Sequence, residues 1–426
     1  MRDGARLQAA IEILTTLETE RRPAAEAVKA WMLTHRFAGS KDSAEVGDLV
    51  FGALRWKQSS AWRLGEDSPR AWVFGAITWG FARGADWLAR ACVDDPHAPP
   101  PPSEAEQRAL EQASLNAAPP HVRGDYPEWL DASMARAFGE ARGAEGAALA
   151  APAPLDLRTN TLKTTREQLI AALGESPRLK QPPAPTPYSA EGVRIPWAQG
   201  RTFAWAAEQS FLKGWFEVQD EGSQLAARMA GAKPGLQVAD VCAGGGGKTL
   251  ALAASMQNKG QIFAFDVDVR RLAPLHERLE RAGARNVQIR APARTRDVLA
   301  DLVGRMDVVL IDAPCTGSGT WRRNPDSKWR LRPASLAERQ EEQAEALALA
   351  APLLKPGGRL IYVTCSVLPE ENEAQITAFL RANEAFKPAH LRGAAVPGHA
   401  RGHAIQLTPL LTGCDGFFVA ALERRA

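Results

Sequence analysis

From residue 234 onward the chain alternates short, almost uninterrupted apolar runs with amphipathic stretches, and this alternation limits its fold more than any other feature. The runs are LQVADVC (236–242), QIFAFDVD (261–268), NVQIR (286–290), MDVVLIDAP (306–314) and RLIYVTCS (359–366). Between them lie helical segments such as KTLALAASM, VRRLAPLHERLERAG and a long stretch rich in Ala, Glu and Leu. A strand that is apolar on both sides must be covered on both faces. The pattern therefore predicts a doubly wound, mostly parallel α/β sheet of Rossmann-like type. The end of the chain, IQLTPLLTGCDGFFVAALER (405–424), reads as a terminal antiparallel hairpin.

The earlier part follows other periods. Residues 1–92 read as helical, with Leu7, Ile11 and Leu14 at helical spacing, Pro23 suited to a first turn, and Ser43 as the expected cap of SAEVGDLVFGALRWK. Six of the twelve tryptophans fall here (Trp31, Trp56, Trp62, Trp72, Trp79 and Trp87) and read as helical core rather than as a base-stacking platform. The segment DDPHAPPPPSE (94–104) reads as a stiff loop or linker, and YPEWLDASMARAFGEARG (126–143) as a return to helix. Strand candidates APLDLRTNTLK, EGVRIPWA and FLKGWFEVQD, with a helix over 164–173, predict a small α+β module. The expected division is 1–144 helical, 145–233 small α+β module, and 234–426 doubly wound domain.

Composition narrows the class. With 426 residues, 45% apolar and 24% charged, the chain is long enough for several globular cores and is not a disordered one. No run approaches the ~18 apolar residues of a membrane span, and the N-terminus lacks the apolar core of a secretory signal. The five cysteines are too scattered for a disulfide framework or a CxxC metal site. The expectation is a cytoplasmic monomer with reduced thiols and no metal. A net charge of +3 permits a nucleic-acid partner without specifying one.

The first doubly wound strand opens into four glycines, VADVCAGGGGKT (238–249). Glycines there let a ligand approach the backbone, and the helix that follows offers free N–H donors. Lys248-Thr249 resembles the end of a phosphate-binding loop, but the leading glycine of GxxxxGK[ST] is missing. Asp266 closes the next strand 22 residues after Gly244, near the offset at which an acid bonds ribose hydroxyls. A nicotinamide cofactor would show GxGxxG in better form. S-adenosylmethionine (SAM), which needs the same adenosine-holding geometry without a diphosphate, is the favoured ligand. The glycines 244–247 and Asp266 are the residues this reading places against it.

Two later strands each end near a cysteine: Asp312-Ala313-Pro314-Cys315, and Thr364-Cys365-Ser366 followed by Pro369-Glu370-Glu371-Asn372. In open α/β sheets the carboxyl ends of the strands line the ligand crevice. Two thiols and an aspartate at such ends suit methylation of a pyrimidine at C5. That carbon is a weak nucleophile until a thiolate adds at C6. Asp312 would hold the base edge near N3, and the sulfonium, Lys248 or arginines would supply positive charge that favours a thiolate.

These residues carry a family resemblance. VADVCAGGGGKT, FAFDVDVRR, DAPCTGSGTWRRNPDSKW, KPGGRLIYVTCSVLPEENEAQI and DGFFVAALER, with LDLRTNTLK and VQDEGSQLAA upstream, closely resemble motifs of the RsmB/Sun family of RNA cytosine-5 methyltransferases. Residues 1–145 resemble, more loosely, the NusB-like helical extension of its bacterial branch. The resemblance implies Cys365 as nucleophile, Cys315 as the cysteine that assists release, and ribosomal RNA as first substrate, with transfer RNA open. It also implies Cys242, Ala243, Gly244, Gly245, Gly246, Gly247, Lys248, Asp266 and Asp312 as the cofactor-pocket positions. Two departures stand out: Gly244-Gly245 where the family has alanine-proline, and Ala293 in RAPARTRD where it places an acid. Both bear on cofactor affinity.

The loop Trp321–Arg332 mixes five cations with two indoles, a composition suited to phosphates and unstacked bases. Arg322, Arg323, Lys328 and Trp329 are the expected RNA contacts there. Arg158 and Asn160 either touch RNA or tie the small module to the sheet. Two rival readings stand: a DNA cytosine methyltransferase using the Pro314-Cys315 thiol, and a non-catalytic RNA-binding assembly factor that keeps the fold.

Overall fold

The computed structural model describes residues 1–20, 22–93, 95–293, 297–392 and 396–426. They form two compact units: Met1–Ala151 with Trp321–Leu331, and Pro152–Thr320 with Arg332–Ala426.

The first unit is all-helical. Helices Asp3–Glu20, Ala24–Thr34, Ser40–Arg55 and Pro69–Gly75 enclose a core that includes Leu7, Ile13, Leu14, Val46, Val50, Trp72 and Phe74. Trp72 is fully buried, while Trp31, Trp56, Trp79 and Trp87 pack against this core with part of their surface exposed. Trp62 lies outside it, exposed. The third helix begins earlier than its expected Ser43 cap. Gly39 precedes its first turn, and the Asp42 carboxylate accepts the Gly39 N–H at 3.1 Å. Asp42 also accepts from the Arg6 guanidinium and the N-terminal ammonium, which together hold its carboxyl down at about 2.

The segment Trp321–Leu331 belongs to this unit because its polar heads serve helix Ser40–Arg55. A helix leaves its last carbonyls without intrahelical donors. Here Trp329 Nε1 donates to Leu54 O at 2.6 Å and Lys328 Nζ to Arg55 O at 2.9 Å. In return Arg55 Nη1 donates to Arg322 O at 2.9 Å and to Ala150 O at 2.7 Å. Asp326 accepts from Ala24 N, and Trp321 is fully buried. Lys328 is only 1% exposed, and burial pulls its ammonium down to about 7.

The second unit carries both sheets. Strands β1 (Leu155–Thr159), β2 (Ala184–Pro185), β3 (Gly192–Ile195) and β4 (Phe216–Val218) form an antiparallel sheet in the order β2-β3-β1-β4. Leu157, Leu169, Leu173, Val193, Ile195 and Phe216 fill its small core. The larger sheet contains β5 (Gln237–Asp240), β6 (Gln261–Phe265), β7 (Val287–Arg290), β8 (Met306–Asp312), β9 (Leu354–Thr364), β10 (Phe386–Ala389), β11 (His399–Arg401), β12 (Ala404–Leu407) and β13 (Phe417–Arg424). Its order is β11-β12-β13-β9-β8-β5-β6-β7, with β10 also pairing β13. Strands β5 to β9 are parallel and β13 is antiparallel to β9, as the alternation and the terminal hairpin predict. The order reverses between β5 and β8, which opens the crevice at their carboxyl ends.

Replacing Trp329 by Phe keeps a ring in place but leaves the Leu54 carbonyl without its indole donor. This should cost about 1 kcal/mol, read as a lower urea midpoint and as faster amide exchange confined to the last turn of helix Ser40–Arg55.

Candidate active site

The four-glycine loop sits between β5 and helix Gly247–Ser255. Gly244 and Gly246 have φ of +50° and +84°, and a Cβ on Gly246 would come within 2.1 Å of Leu275 Cδ1, so this turn has room only for glycine there. Ala243 N donates to Phe265 O and Gly244 N donates to the Asp266 carboxylate at 2.9 Å, which ties the loop to the end of β6. Asp266 is buried and also accepts from Asp268 N and Arg271 Nη1, at 3.0 and 3.2 Å. A carboxylate has about four lone-pair sites, so three donors leave it capacity for a hydroxyl. A glycine turn without Cβ atoms, an anchored acid beside it and a helix N-terminus fit the adenosine and amino-acid ends of SAM.

Lys248, in the first turn of that helix, is buried, and its Nζ pairs with Asp312 Oδ2 at 2.7 Å and lies 5.1 Å from the Phe417 ring centroid. Asp312 ends β8, and its side chain remains about a third exposed. Register sets Asp312 opposite Val363 of β9, so the residues just past both strands meet. Cys315 Sγ and Cys365 Sγ are 3.3 Å apart. The hydrogen bond with Cys365, and then burial, push the Cys315 thiol well above its ordinary range. Two sulfurs this close cannot comfortably carry two charges. Burial likewise pushes the Cys242 thiol up.

Beneath the cysteines lies a polar network that sequence reasoning did not assign. Glu371 is fully buried and accepts from Thr316 N at 2.8 Å, Thr316 Oγ1 at 2.5 Å, Gln343 Nε2 at 3.0 Å and Ser366 Oγ. It therefore bridges the residue after Cys315 to the residue after Cys365. Burial pushes its carboxyl up, although four donors are what an ionised carboxylate needs. Asn372 completes the frame, donating to Ser366 O and accepting from Thr364 Oγ1. The sequence signal was Pro369-Glu370-Glu371-Asn372, but nothing in it told which acid turned inward.

The expected RNA contacts need correction. Arg322 is 4% and Lys328 1% exposed, and the Lys328 ammonium and Trp329 indole are spent on helix carbonyls. The Lys328 ammonium and the Trp329 indole N–H thus act as structural anchors and Arg322 is buried, while Trp329 and Arg323 are half-buried. Arg158 is buried with Nε on Gln219 Oε1 at 2.6 Å, and Asn160 Nδ2 donates to Gly214 O and Ala282 O, both at 2.8 Å. Of the two uses expected for Asn160, the geometry is that of a tie. Where the family places an acid after the third strand, Ala293 is exposed and Asp297 nearby accepts from Leu299 N, while Arg294–Arg296 lie outside the described residues.

Asp240, at the end of β5, is completely buried, and Thr249 Oγ1 donates to it at 2.7 Å. Burial raises its carboxyl to about 7. The folded state thus holds this proton more tightly than the unfolded chain. The associated stability is full below the ordinary carboxyl range and is lost as pH rises through about 7. Asp240→Asn removes the titration, so its thermal stability relative to the native chain should climb between pH 5 and 8 and level off above. A difference constant over that window would contradict this.

The comparisons agree with this geometry. The family model described as "16S rRNA methyltransferase RsmB/F" matches residues 230–423, and the ferredoxin-like domain model of the same group matches 126–198. A Synechocystis protein named probable ribosomal RNA small subunit methyltransferase B is 34% identical over 303 residues, 70% of this chain and 67% of its own, so the match spans about two thirds of that relative. A methyltransferase homologue from Pyrococcus horikoshii has a TM-score of 0.59 at 29% identity, covering 72% of this chain and 97% of its own. NSun6 from the same organism, solved with SFG, shares the fold at a TM-score of 0.60 and 22% identity, covering 70% of this chain and 98% of its own. With its glycine turn, anchored acid and paired strand-end thiols, the chain belongs to the RsmB/F family of SAM-dependent rRNA methyltransferases.

Proposed function

We propose that the protein methylates C5 of a cytosine in RNA, ribosomal RNA first, through a covalent cysteine adduct at C6. The observation that carries this is the 3.3 Å pair of Cys315 and Cys365 at the ends of adjacent parallel strands, beside the Lys248–Asp312 ion pair.

In this reading Cys365 Sγ forms a bond to C6, and the electrons of the C5–C6 double bond become available at C5. Asp312, oriented by Lys248, holds the base edge and supports proton exchange at N3. SAM supplies an electrophilic methyl group. When it is bound, its S–CH3 bond would break to leave a neutral thioether as C5 takes the methyl; C5 then gives its proton to solvent, the double bond re-forms and the Cys365–C6 bond breaks. The Cys315 thiol, at hydrogen-bonding distance and with its pKa pushed up by that contact and by burial, donates to the departing Cys365 sulfur. The base reaches a crevice of this kind only when it is unstacked, so the substrate is a loop or a locally melted segment. The SAM-using family and its rRNA-named relatives support the substrate class, and the sulfur pair supports the covalent route.

The two cysteines separate by experiment. Cys365→Ala should fold normally, form no adduct and show no methyl transfer. Cys315→Ala should still attack and methylate, and then accumulate an RNA adduct that survives denaturing electrophoresis. The double variant should form none. An adduct from Cys365→Ala alone would reverse the two roles, as in DNA-type enzymes, and turnover by both single variants would sink the covalent mechanism.

A further inference from the structure

We infer that Arg278 is a positioning residue that pins the cofactor loop, doing with a side chain what a stiffer backbone would otherwise do, and that through Glu217 it links the loop to the small antiparallel sheet. This deepens the SAM-binding role of the glycine turn and rests on it.

The loop needs such a pin. Four consecutive glycines carry the greatest backbone freedom a chain can have, and holding them in one conformation costs correspondingly more entropy. Hydrogen bonds fix Ala243, Gly244 and Gly246 through Phe265 O, Asp266 and Ala243 O. Arg278 Nη1 donates to the Gly245 carbonyl at 2.5 Å and so fixes the peptide plane in the middle of the turn. The same guanidinium is oriented from behind. Its Nη2 pairs with Glu217 Oε2 at 2.9 Å, and Arg281 Nη2 takes the other oxygen at 2.6 Å. Glu217 is 4% exposed and sits on β4, directly opposite Arg158 of β1. Spanning a loop carbonyl with one nitrogen and a buried carboxylate with another is an arrangement that arginine's planar fork makes and lysine's single ammonium does not.

The packing around Gly245 shows that pin and glycine depend on one another. A Cβ at Gly245 would find a single neighbour, Arg278 Nη1, at 3.2 Å. Gly245 does not have a left-handed φ, so a side chain there is opposed by the arginine and not by the backbone. With Arg278 present the position favours glycine; with Arg278 absent it has room for alanine. Arg271 stands in a similar place over Gly244, its Nη2 3.3 Å from where a Cβ would be, but Gly244 also needs its positive φ.

Four proteins test this: native, Arg278→Ala, Gly245→Ala and the double variant. Each is read by SAM calorimetry and by amide exchange of the loop in the cofactor-free chain. Arg278 is about a quarter exposed on an amphipathic helix, Ala suits that helix, and Arg281 still pairs Glu217, so the fold should survive. Arg278→Ala should speed exchange across 244–247 and weaken SAM binding roughly tenfold, as expected for loss of a charge-assisted hydrogen bond. Gly245→Ala should leave SAM affinity unchanged or weaker in the native background. In the Arg278→Ala background it should tighten binding about two- to fivefold, by removing loop freedom. Glu217→Gln should shift both readouts in the same direction as Arg278→Ala, by less. Native exchange and native affinity in Arg278→Ala, or the same effect of Gly245→Ala in both backgrounds, would overturn the inference, and an unaffected Glu217→Gln would cut the link to β4. If the native chain failed to bind SAM, the cofactor role itself would fall, while the exchange data would still decide the pin.

Discussion

The parallel pairing of β8 with β9 is the constraint on which the rest of the site depends. Because Asp312 stands opposite Val363, both strands run out at the same level, and the chain beyond each turns over the same crevice. A one-residue slip would turn every side chain of β9 to the other face of the sheet. The fully buried run of Leu360, Ile361, Tyr362 and Val363, packed from both sides, makes that slip prohibitively expensive. The sulfur–sulfur distance is therefore inherited from the sheet.

Register alone places two backbones; it does not aim two side chains. Glu371 does part of that second task by accepting from Thr316 on one loop and Ser366 on the other, with Gln343 supporting it from the long helix. A buried carboxylate is stable only when its lone pairs are met, so the network has few alternative arrangements. The cofactor side follows the same logic at lower density. Asp266 and Arg278 hold a glycine turn that has no stiffness of its own.

The basic, aromatic segment after β8 shows how composition misleads. Five cations and two indoles in twelve residues read as a nucleic-acid grip. Lys328 and Trp329 instead satisfy the last carbonyls of a helix far earlier in the sequence. Helix ends need donors as much as phosphates do, and a side chain's preference for one or the other is not written in its type.

The sequence by itself determined the larger architecture. Its doubly apolar strands demanded a covered parallel sheet, four glycines before a helix demanded a ligand turn, and two cysteines after strand-final residues demanded a shared crevice. Each of these follows from a local period or a backbone requirement, which neighbouring residues express without help from the rest of the chain. Only the tertiary structure decided which polar residues face inward. Nothing local distinguishes Glu371 from Glu370, or marks Arg278 among the many cations of its helix, or turns Lys328 away from solvent. Those choices are made by partners dozens to hundreds of residues away, because a buried charge is tolerated only where distant groups satisfy it.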